Sequence, residues 1–106
     1  MAWIDVASAE EVTEGEVRGV KARDHLVALY RIDGRIYATS NVCTHEHALL
    51  SEGVVENGEV ECPLHLTRFR ISDGTCLGPL GTDLACYRAR EVGARVQVQI
   101  ADEESR

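Results

Sequence analysis

The residues HLVALYRIDGRIYAT, at positions 25–39, indicate the fold class of this chain. The first eight alternate apolar and polar side chains well enough to predict a half-buried β-strand over His25–Ile32. Asp33-Gly34 then supplies a two-residue turn, because both residues tolerate the positive φ that such hairpin turns require. Arg35–Thr39 follows as the partner strand, so this stretch predicts an antiparallel hairpin.

Further turn signals divide the rest of the chain into short strands. At three more places a two-residue turn signal stands between runs rich in apolar residues, which predicts three more hairpins. The predicted strand pairs are Val54-Val55 and Glu59–Cys62 around Asn57-Gly58, Arg68–Ile71 and Thr75–Leu77 around Asp73-Gly74, and Ala85–Val92 and Arg95–Ile100 around Gly93-Ala94, with a further strand at Glu16–Val20.

A single helical signal stands near the N-terminus. Ser8 with Glu11 three residues later forms a capping-box pattern, which predicts one short helical turn within Ala7–Val12. Since the other elements are strands joined by tight turns, we predict an all-β antiparallel sandwich or barrel. The length of 106 residues suits a single domain over residues 1–106.

The charge of the chain limits its partners. Eleven Lys and Arg face eighteen Asp and Glu, which gives a net charge of −7. An acidic surface repels phosphate backbones and anionic lipids, so neither nucleic acid nor a membrane is the expected partner. A basic protein surface is the more natural counterpart.

The sequence also predicts a cytoplasmic protein. No secretory leader is recognised at the N-terminus, and no apolar run approaches the roughly 18–20 residues that cross a bilayer. In a reducing compartment the four cysteines are not expected to form disulfides. Cys76 and Cys86 have no paired ligand nearby in the sequence, so we expect both to pack as apolar side chains.

Cysteine stands beside histidine in two segments that interrupt the strand pattern. The first, NVCTHEHALLSEG at 41–53, contains Cys43 and His45. The second, VECPLHLTRF at 60–69, contains Cys62 and His65, and sixteen residues lie between His45 and Cys62. Because the predicted Asn57-Gly58 hairpin lies between them, the two segments could meet, and two thiolates and two imidazoles would then converge.

Such a donor set suits zinc or iron in a sulfide cluster and excludes Ca²⁺ and Mg²⁺, which prefer oxygen ligands. Structural zinc sites usually draw Cys-Cys and His-His from paired knuckles, whereas each segment here offers one Cys and one His. The mixed pairing favours a 2Fe–2S cluster with two thiolates on one iron and two imidazoles on the other. A zinc site, a Cys-His catalytic dyad and cysteines that merely pack in a core remain open, as does His47 in place of His45.

The motifs CTH at 43–45 and CPLH at 62–65 resemble the Rieske family, and most closely the ferredoxin components of multicomponent aromatic-ring-hydroxylating dioxygenases. The resemblance covers most of the chain and implies a Rieske-like β-sandwich with a two-loop cluster-binding subdomain at about residues 41–80. It also implies one 2Fe–2S cluster per chain, with Cys43 and Cys62 as ligands of one iron and His45 and His65 as ligands of the other.

The resemblance further implies a low reduction potential. Relatives of high potential carry a second Cys in each loop, and they place Ser and Tyr hydroxyls near the cluster. Here Leu64 stands between Pro63 and His65, Thr67 stands where the Ser would be, and Phe69 replaces the Tyr. Fewer donors to the sulfurs stabilise the reduced state less, so we expect a midpoint potential below about +150 mV.

The charge pattern suggests how partners dock. No Lys or Arg occurs from Ile36 through Thr67, and an acidic stretch would steer a basic docking surface toward it. The glutamates of this stretch are Glu46, Glu52, Glu56, Glu59 and Glu61.

The resemblance implies a soluble, monomeric electron carrier that is not itself an enzyme. Its partners would be an NAD(P)H-dependent flavoprotein ferredoxin reductase and a terminal Rieske oxygenase that attacks an aromatic ring. The alternatives are a small Rieske-like subunit of a larger redox enzyme, such as nitrite reductase, and a structural zinc-binding module.

Overall fold

The structure is a computed structural model that describes residues 1–44, 47–64, 67–79 and 81–101. Within these ranges the regular elements are short strands and two 3₁₀ turns, Ala9–Glu11 and Leu50–Glu52. The strands are β1 Ala2–Ser8, β2 Val17–Ala22, β3 His25–Ile32, β4 Arg35–Ser40, β5 Val54–Glu56, β6 Glu59–Glu61, β7 Arg68–Arg70, β8 Cys86–Tyr87, β9 Ala89–Val92 and β10 Arg95–Ile100. In the described ranges no helix is long and apolar enough to cross a membrane.

The strands form three antiparallel sheets in the orders β1-β10-β9, β2-β3-β4-β8 and β5-β6-β7. Most of the predicted strands are confirmed, and the all-β fold class with them. The predicted helical turn is also confirmed as the 3₁₀ turn Ala9–Glu11, which begins where the Glu11 carboxylate accepts the Ser8 amide at 3.0 Å.

The central sheet contributes to two separate cores. The first core lies between it and the β1-β10-β9 sheet, and the second lies between it and the β5-β6-β7 sheet. The buried side chains of the first core include Val27, Leu29, Val96, Val98 and Ile100, and those of the second include Ala28, Tyr30, Leu50, Val60 and Phe69.

Strand β3 corrects the expectation of a half-buried strand. Its residues Val27, Ala28, Leu29 and Tyr30 are all fully buried, because successive side chains point to opposite faces and both faces are covered. The periodicity of the sequence cannot show that a second sheet covers the other face.

A buried hydrogen-bond chain satisfies the polar atoms between these layers. The Thr39 hydroxyl donates to the Ser40 carbonyl at 2.9 Å and therefore accepts the Tyr30 hydroxyl at 2.9 Å. Burial raises the pKa of Tyr30, so the phenol stays neutral and remains a donor.

Two of the predicted turns have the expected geometry. Asp33 and Gly34 have φ of 53° and 80°, and Asn57 and Gly58 have φ of 56° and 76°. The Glu14 carboxylate stabilises the first turn by accepting the Asp33 amide at 2.6 Å and the Gly34 amide at 2.9 Å.

Two predicted hairpins are wrong in detail. After β7 the chain turns over Ile71–Gly74, where the Gly74 amide donates to the Arg70 carbonyl. Cys76 then pairs with Phe69 as an isolated bridge, which is flanked by hydrogen bonds from the Arg70 amide to the Thr75 carbonyl and from the Leu77 amide to the Arg68 carbonyl. Thr75–Leu77 is therefore not a continuous strand. The predicted strand Ala85–Val92 is instead divided at Arg88, because β8 pairs with β4 in the central sheet and β9 pairs with β10.

Candidate metal centre

Two loops of the same construction begin at cysteines of the second core. The Cys43 amide donates to the Ala48 carbonyl at 2.9 Å, and the Cys62 amide donates to the Thr67 carbonyl at 2.7 Å. Each loop therefore begins with a cysteine and is closed by a backbone hydrogen bond to its sixth residue. We call these segments loop 43–48 and loop 62–67.

The same kind of strand pairing supports both loops. Below loop 43–48, Val42 bridges Leu49 and the Leu50 amide donates to the Asn41 carbonyl at 2.8 Å. Below loop 62–67, Glu61 of β6 pairs with Arg68 of β7. Each loop is thus the tip of an antiparallel pair.

The side chains of both cysteines are buried. Cys43 is 4% exposed and Cys62 is fully buried, and both belong to the second core. Neither forms a disulfide. Two unoxidised sulfur donors are therefore held in one compact region, a donor set that suits zinc or an iron–sulfide cluster.

The predicted histidine ligands, His45 and His65, belong to the same two loops in the sequence and lie outside the described residues. His47 is described and exposed. Among the described residues no three His, Cys, Asp or Glu side chains form a group that could hold a single metal ion.

Comparison with known proteins identifies the family of this chain. The Rieske 2Fe-2S domain matches residues 2–88. The chain belongs to the Rieske family. A curated relative, the ferredoxin component of the naphthalene 1,2-dioxygenase/salicylate 5-hydroxylase systems of a Ralstonia species, is 42% identical over 99 residues, which are 92% of this chain and 95% of the relative.

Two solved structures have the same fold. The ferredoxin of carbazole 1,9a-dioxygenase from Nocardioides aromaticivorans IC177 superimposes with a TM-score of 0.86 at 28% identity, covering 92% of this chain and 97% of its own. A chain from the complex of reduced oxygenase and oxidised ferredoxin in carbazole 1,9a-dioxygenase gives 0.83 at 31% identity, with 91% of each chain covered.

The side chains of Asn41 and Ser51 hold the base of loop 43–48. The buried Asn41 accepts the Ser51 amide through Oδ1 at 2.8 Å and donates through Nδ2 to the Ser51 hydroxyl at 3.0 Å. Gly19 on β2 leaves room for this contact, since a Cβ there would lie 2.9 Å from both Asn41 Nδ2 and Ser51 Oγ. Nothing in the sequence distinguishes Asn41 from other polar loop residues.

A third segment, described at residues 77–79 and 81–83, is hydrogen-bonded to loop 43–48 and to Arg68, the residue that follows loop 62–67. Thr44 Oγ1 donates to the Thr82 carbonyl at 2.5 Å and accepts the Thr82 amide at 3.0 Å. The Leu77 amide donates to the Arg68 carbonyl at 2.8 Å, and Asp83 Oδ1 accepts the Cys76 amide at 2.8 Å. The third segment is therefore held against the site by hydrogen bonds to each side of it.

The two remaining cysteines differ in their surroundings. Cys76 packs partly against the second core, which confirms its expected role as an apolar side chain. Cys86 is exposed, so the same expectation is wrong there. Although the residue as a whole is exposed, neighbouring atoms partly shield its thiol from water, and this desolvation raises the pKa of the Cys86 thiol. The negative charges of Asp73 and Asp83 raise it further.

The acidic stretch of residues 36–67 is partly neutralised in the structure. The guanidinium of Arg68, the residue that follows this stretch, lies among its glutamates. Its Nε lies 2.6 Å from Glu59 Oε1, its Nη1 lies 2.5 Å from Glu61 Oε1, and its Nη2 lies 3.8 Å from Glu56 Oε1. Three of the five glutamates therefore share one cation, while Glu52 stays exposed and Glu46 lies outside the described residues.

We predict that Gly74→Ala destabilises the chain more than Gly34→Ala. Both glycines have nearly the same positive φ, 78° and 80°, so each substitution costs about 1 kcal/mol in backbone strain. A Cβ at Gly34 meets nothing within 4 Å, whereas one at Gly74 lies 2.5 Å from the Leu84 carbonyl oxygen. The extra clash should add about 1–3 kcal/mol.

Urea unfolding of the two variants beside the parent chain measures this difference. Equal losses of unfolding free energy would contradict the packing of Gly74 against Leu84.

Proposed function

We propose that this protein is a soluble, cytoplasmic and monomeric carrier of single electrons. It takes an electron from an NAD(P)H-dependent flavoprotein ferredoxin reductase and passes it to a terminal Rieske oxygenase that hydroxylates an aromatic ring. It carries out no substrate chemistry of its own. The observation that carries the proposal is the pair of equivalent loops, each beginning with a buried cysteine that forms no disulfide, in a Rieske chain whose relatives are named ferredoxin components.

We propose that Cys43 and Cys62 bind one iron of a 2Fe–2S cluster and that His45 and His65 bind the other. When bound, such a cluster accepts and returns one electron. Residues 1–106 then form one Rieske domain, with the cluster-binding subdomain at about 41–80. The supporting evidence is the burial of both thiols in the second core and the position of each histidine between the ends of a closed loop.

The loops themselves have two tasks in this proposal. Their closing hydrogen bonds and the contacts of Asn41 and Thr44 hold the donors in a fixed arrangement, so that little rearrangement accompanies electron transfer. Apolar side chains are accessible beside them, since Leu64 of loop 62–67 is 47% exposed and Leu77 of the third segment is 40% exposed. A small apolar tip of this kind allows a partner to approach closely.

Substitution of single histidines tests the ligand set. We predict that His45→Ala and His65→Ala abolish the visible absorbance and the bound iron and sulfide, because each removes a ligand. His47→Ala is the matched control, and it should retain two irons and two acid-labile sulfides per chain, the content of a 2Fe–2S cluster.

The same measurements decide against the proposal in two cases. Loss of the cluster in the His47 variant alone would transfer the ligand role to His47. A colourless parent protein containing one zinc would replace the electron carrier with a zinc-binding module.

We predict a midpoint potential below about +150 mV, within the range of about −150 to +300 mV found for Rieske centres. Phe69 supports this value, because it is fully buried in the second core and has no hydroxyl to donate to a cluster sulfur. Redox titration followed by absorbance measures the potential. A value above that limit would show that other donors compensate for the missing hydroxyl.

The distribution of charge supports docking at the loop end of the molecule. Residues 41–86 contain seven Asp and Glu against two Arg, whereas the rest of the chain contains eleven against nine. An excess of negative charge around the loops attracts basic groups on a partner and accelerates the encounter, and salt screens this attraction.

We predict that Glu46→Gln/Glu52→Gln slows electron transfer from a naphthalene-dioxygenase ferredoxin reductase at low salt and has little effect at 1 M salt. The control, Glu10→Gln/Asp33→Asn, removes the same charge near the opposite end of β3. Stopped-flow absorbance at several salt concentrations measures the rates.

Equal slowing by both double variants would indicate a general charge effect without a docking site. A stable complex with one partner that survives gel filtration would contradict the shuttle and favour a permanent subunit.

A further inference from the structure

Four charged residues form a compact group on the outer face of the β5-β6-β7 sheet. Val60 and Phe69 are buried in the second core, so their strand neighbours Glu59, Glu61 and Arg68 point to the other face. Arg68 contacts both carboxylates at 2.5–2.6 Å and also reaches β5, where its Nη2 lies 3.4 Å from the Glu56 carbonyl oxygen. We call Arg68, Glu56, Glu59 and Glu61 the Arg68 group.

The Arg68 group stands at the base of loop 62–67. Glu61 is the last residue before that loop and Arg68 is the first after it, and the two are paired across β6 and β7. The side chains of these two residues also form an ion pair. It lies next to the backbone hydrogen bond from the Cys62 amide to the Thr67 carbonyl. The Arg68 carbonyl also accepts the Leu77 amide, so the same residue connects the loop to the third segment.

The charges in this group are unequal. Three carboxylates face one guanidinium, and the pKa of Arg68 is raised above its usual value, first by its hydrogen bond to Glu59 and then by the negative charge around it. Arg70, the neighbouring cation on β7, is paired with Asp73 at 3.1 Å. Arg68 is thus the cation that offsets Glu59 and Glu61.

Stability alone is a weak reason for such an arrangement. The side chains of Arg68, Glu59 and Glu61 are 29%, 34% and 24% exposed, and ion pairs open to solvent contribute little to folding free energy. Their charge acts at longer range, because a charge next to a partly buried site changes the free energy of adding an electron there.

We propose that Arg68 is a positioning and charge-balancing residue of the metal centre, which closes the base of loop 62–67 and offsets the negative charge of Glu59 and Glu61. This inference rests on the proposed function, since it concerns the electron that the centre accepts. Reduction adds one negative charge, and unpaired carboxylates nearby oppose it. Arg68 therefore makes the centre easier to reduce than it would be beside two unpaired glutamates.

The charge role is tested by substitutions of opposite sign in the intact protein. Arg68→Gln removes a positive charge and should lower the midpoint potential, whereas Glu61→Gln removes a negative charge and should raise it. The double variant Arg68→Gln/Glu61→Gln should lie between them, close to the parent. Arg70→Gln is the matched control, because it removes the neighbouring cation of the same strand and should shift the potential less than Arg68→Gln.

Arg68→Lys separates positioning from charge. It keeps the positive charge but cannot contact two carboxylates through one planar group. Its midpoint potential should stay near that of the parent, while the cluster should be lost faster in the presence of a chelator. Redox titration and the decay of visible absorbance measure the two effects, and thermal unfolding monitored by circular dichroism shows whether each variant is folded.

Shifts of Arg68→Gln and Glu61→Gln in the same direction, or no shift beyond that of Arg70→Gln, would overturn the charge role. If Arg68→Gln does not retain a cluster, the charge role is tested by comparing the midpoint potentials of Glu61→Gln and Arg68→Lys with that of the parent. An unchanged midpoint potential in Glu61→Gln would then overturn the charge role. A parent protein that binds no cluster would refute the proposed function and this inference together, whereas a bound cluster with unchanged potentials would refute the inference alone.

Discussion

Two backbone hydrogen bonds define the geometry on which the rest of this molecule depends. Each joins the amide of a cysteine to the carbonyl five residues further on, Cys43 to Ala48 and Cys62 to Thr67. Because both cysteines are buried in the second core, their loops are anchored in a packed interior. The sheets position the strand ends from which these loops project, and the third segment is hydrogen-bonded to Thr44 and Arg68 beside them.

Much of this arrangement can be predicted from local sequence. Asp33-Gly34 and Asn57-Gly58 specify their turns because positive φ is a local requirement, and the two Cys-His segments identify the family. The errors arise where distant parts of the chain meet. The second covered face of β3 and the division of Ala85–Val92 at Arg88 depend on which sheets pack together, and no nearby residue encodes that.

The contacts that support the site are the hardest to predict from the sequence for the same reason. Asn41 meets Ser51 ten residues away, and Thr44 meets Thr82 across thirty-eight residues. Arg68 is visible in the sequence only as the end of an acidic stretch, yet in the fold it lies among three of its glutamates. Charge patterns along the chain therefore overstate how much negative charge is unpaired.

The position of β3 between two cores has a consequence for the whole molecule. Leu29 packs toward one core and its neighbour Tyr30 toward the other, so neither core can open without disturbing the same strand. The base of the protein and its metal-binding end should therefore unfold as one cooperative unit. The loops cannot be treated as a detachable module, because a fragment that lacks β3 would lose one wall of the interior in which both thiols are embedded.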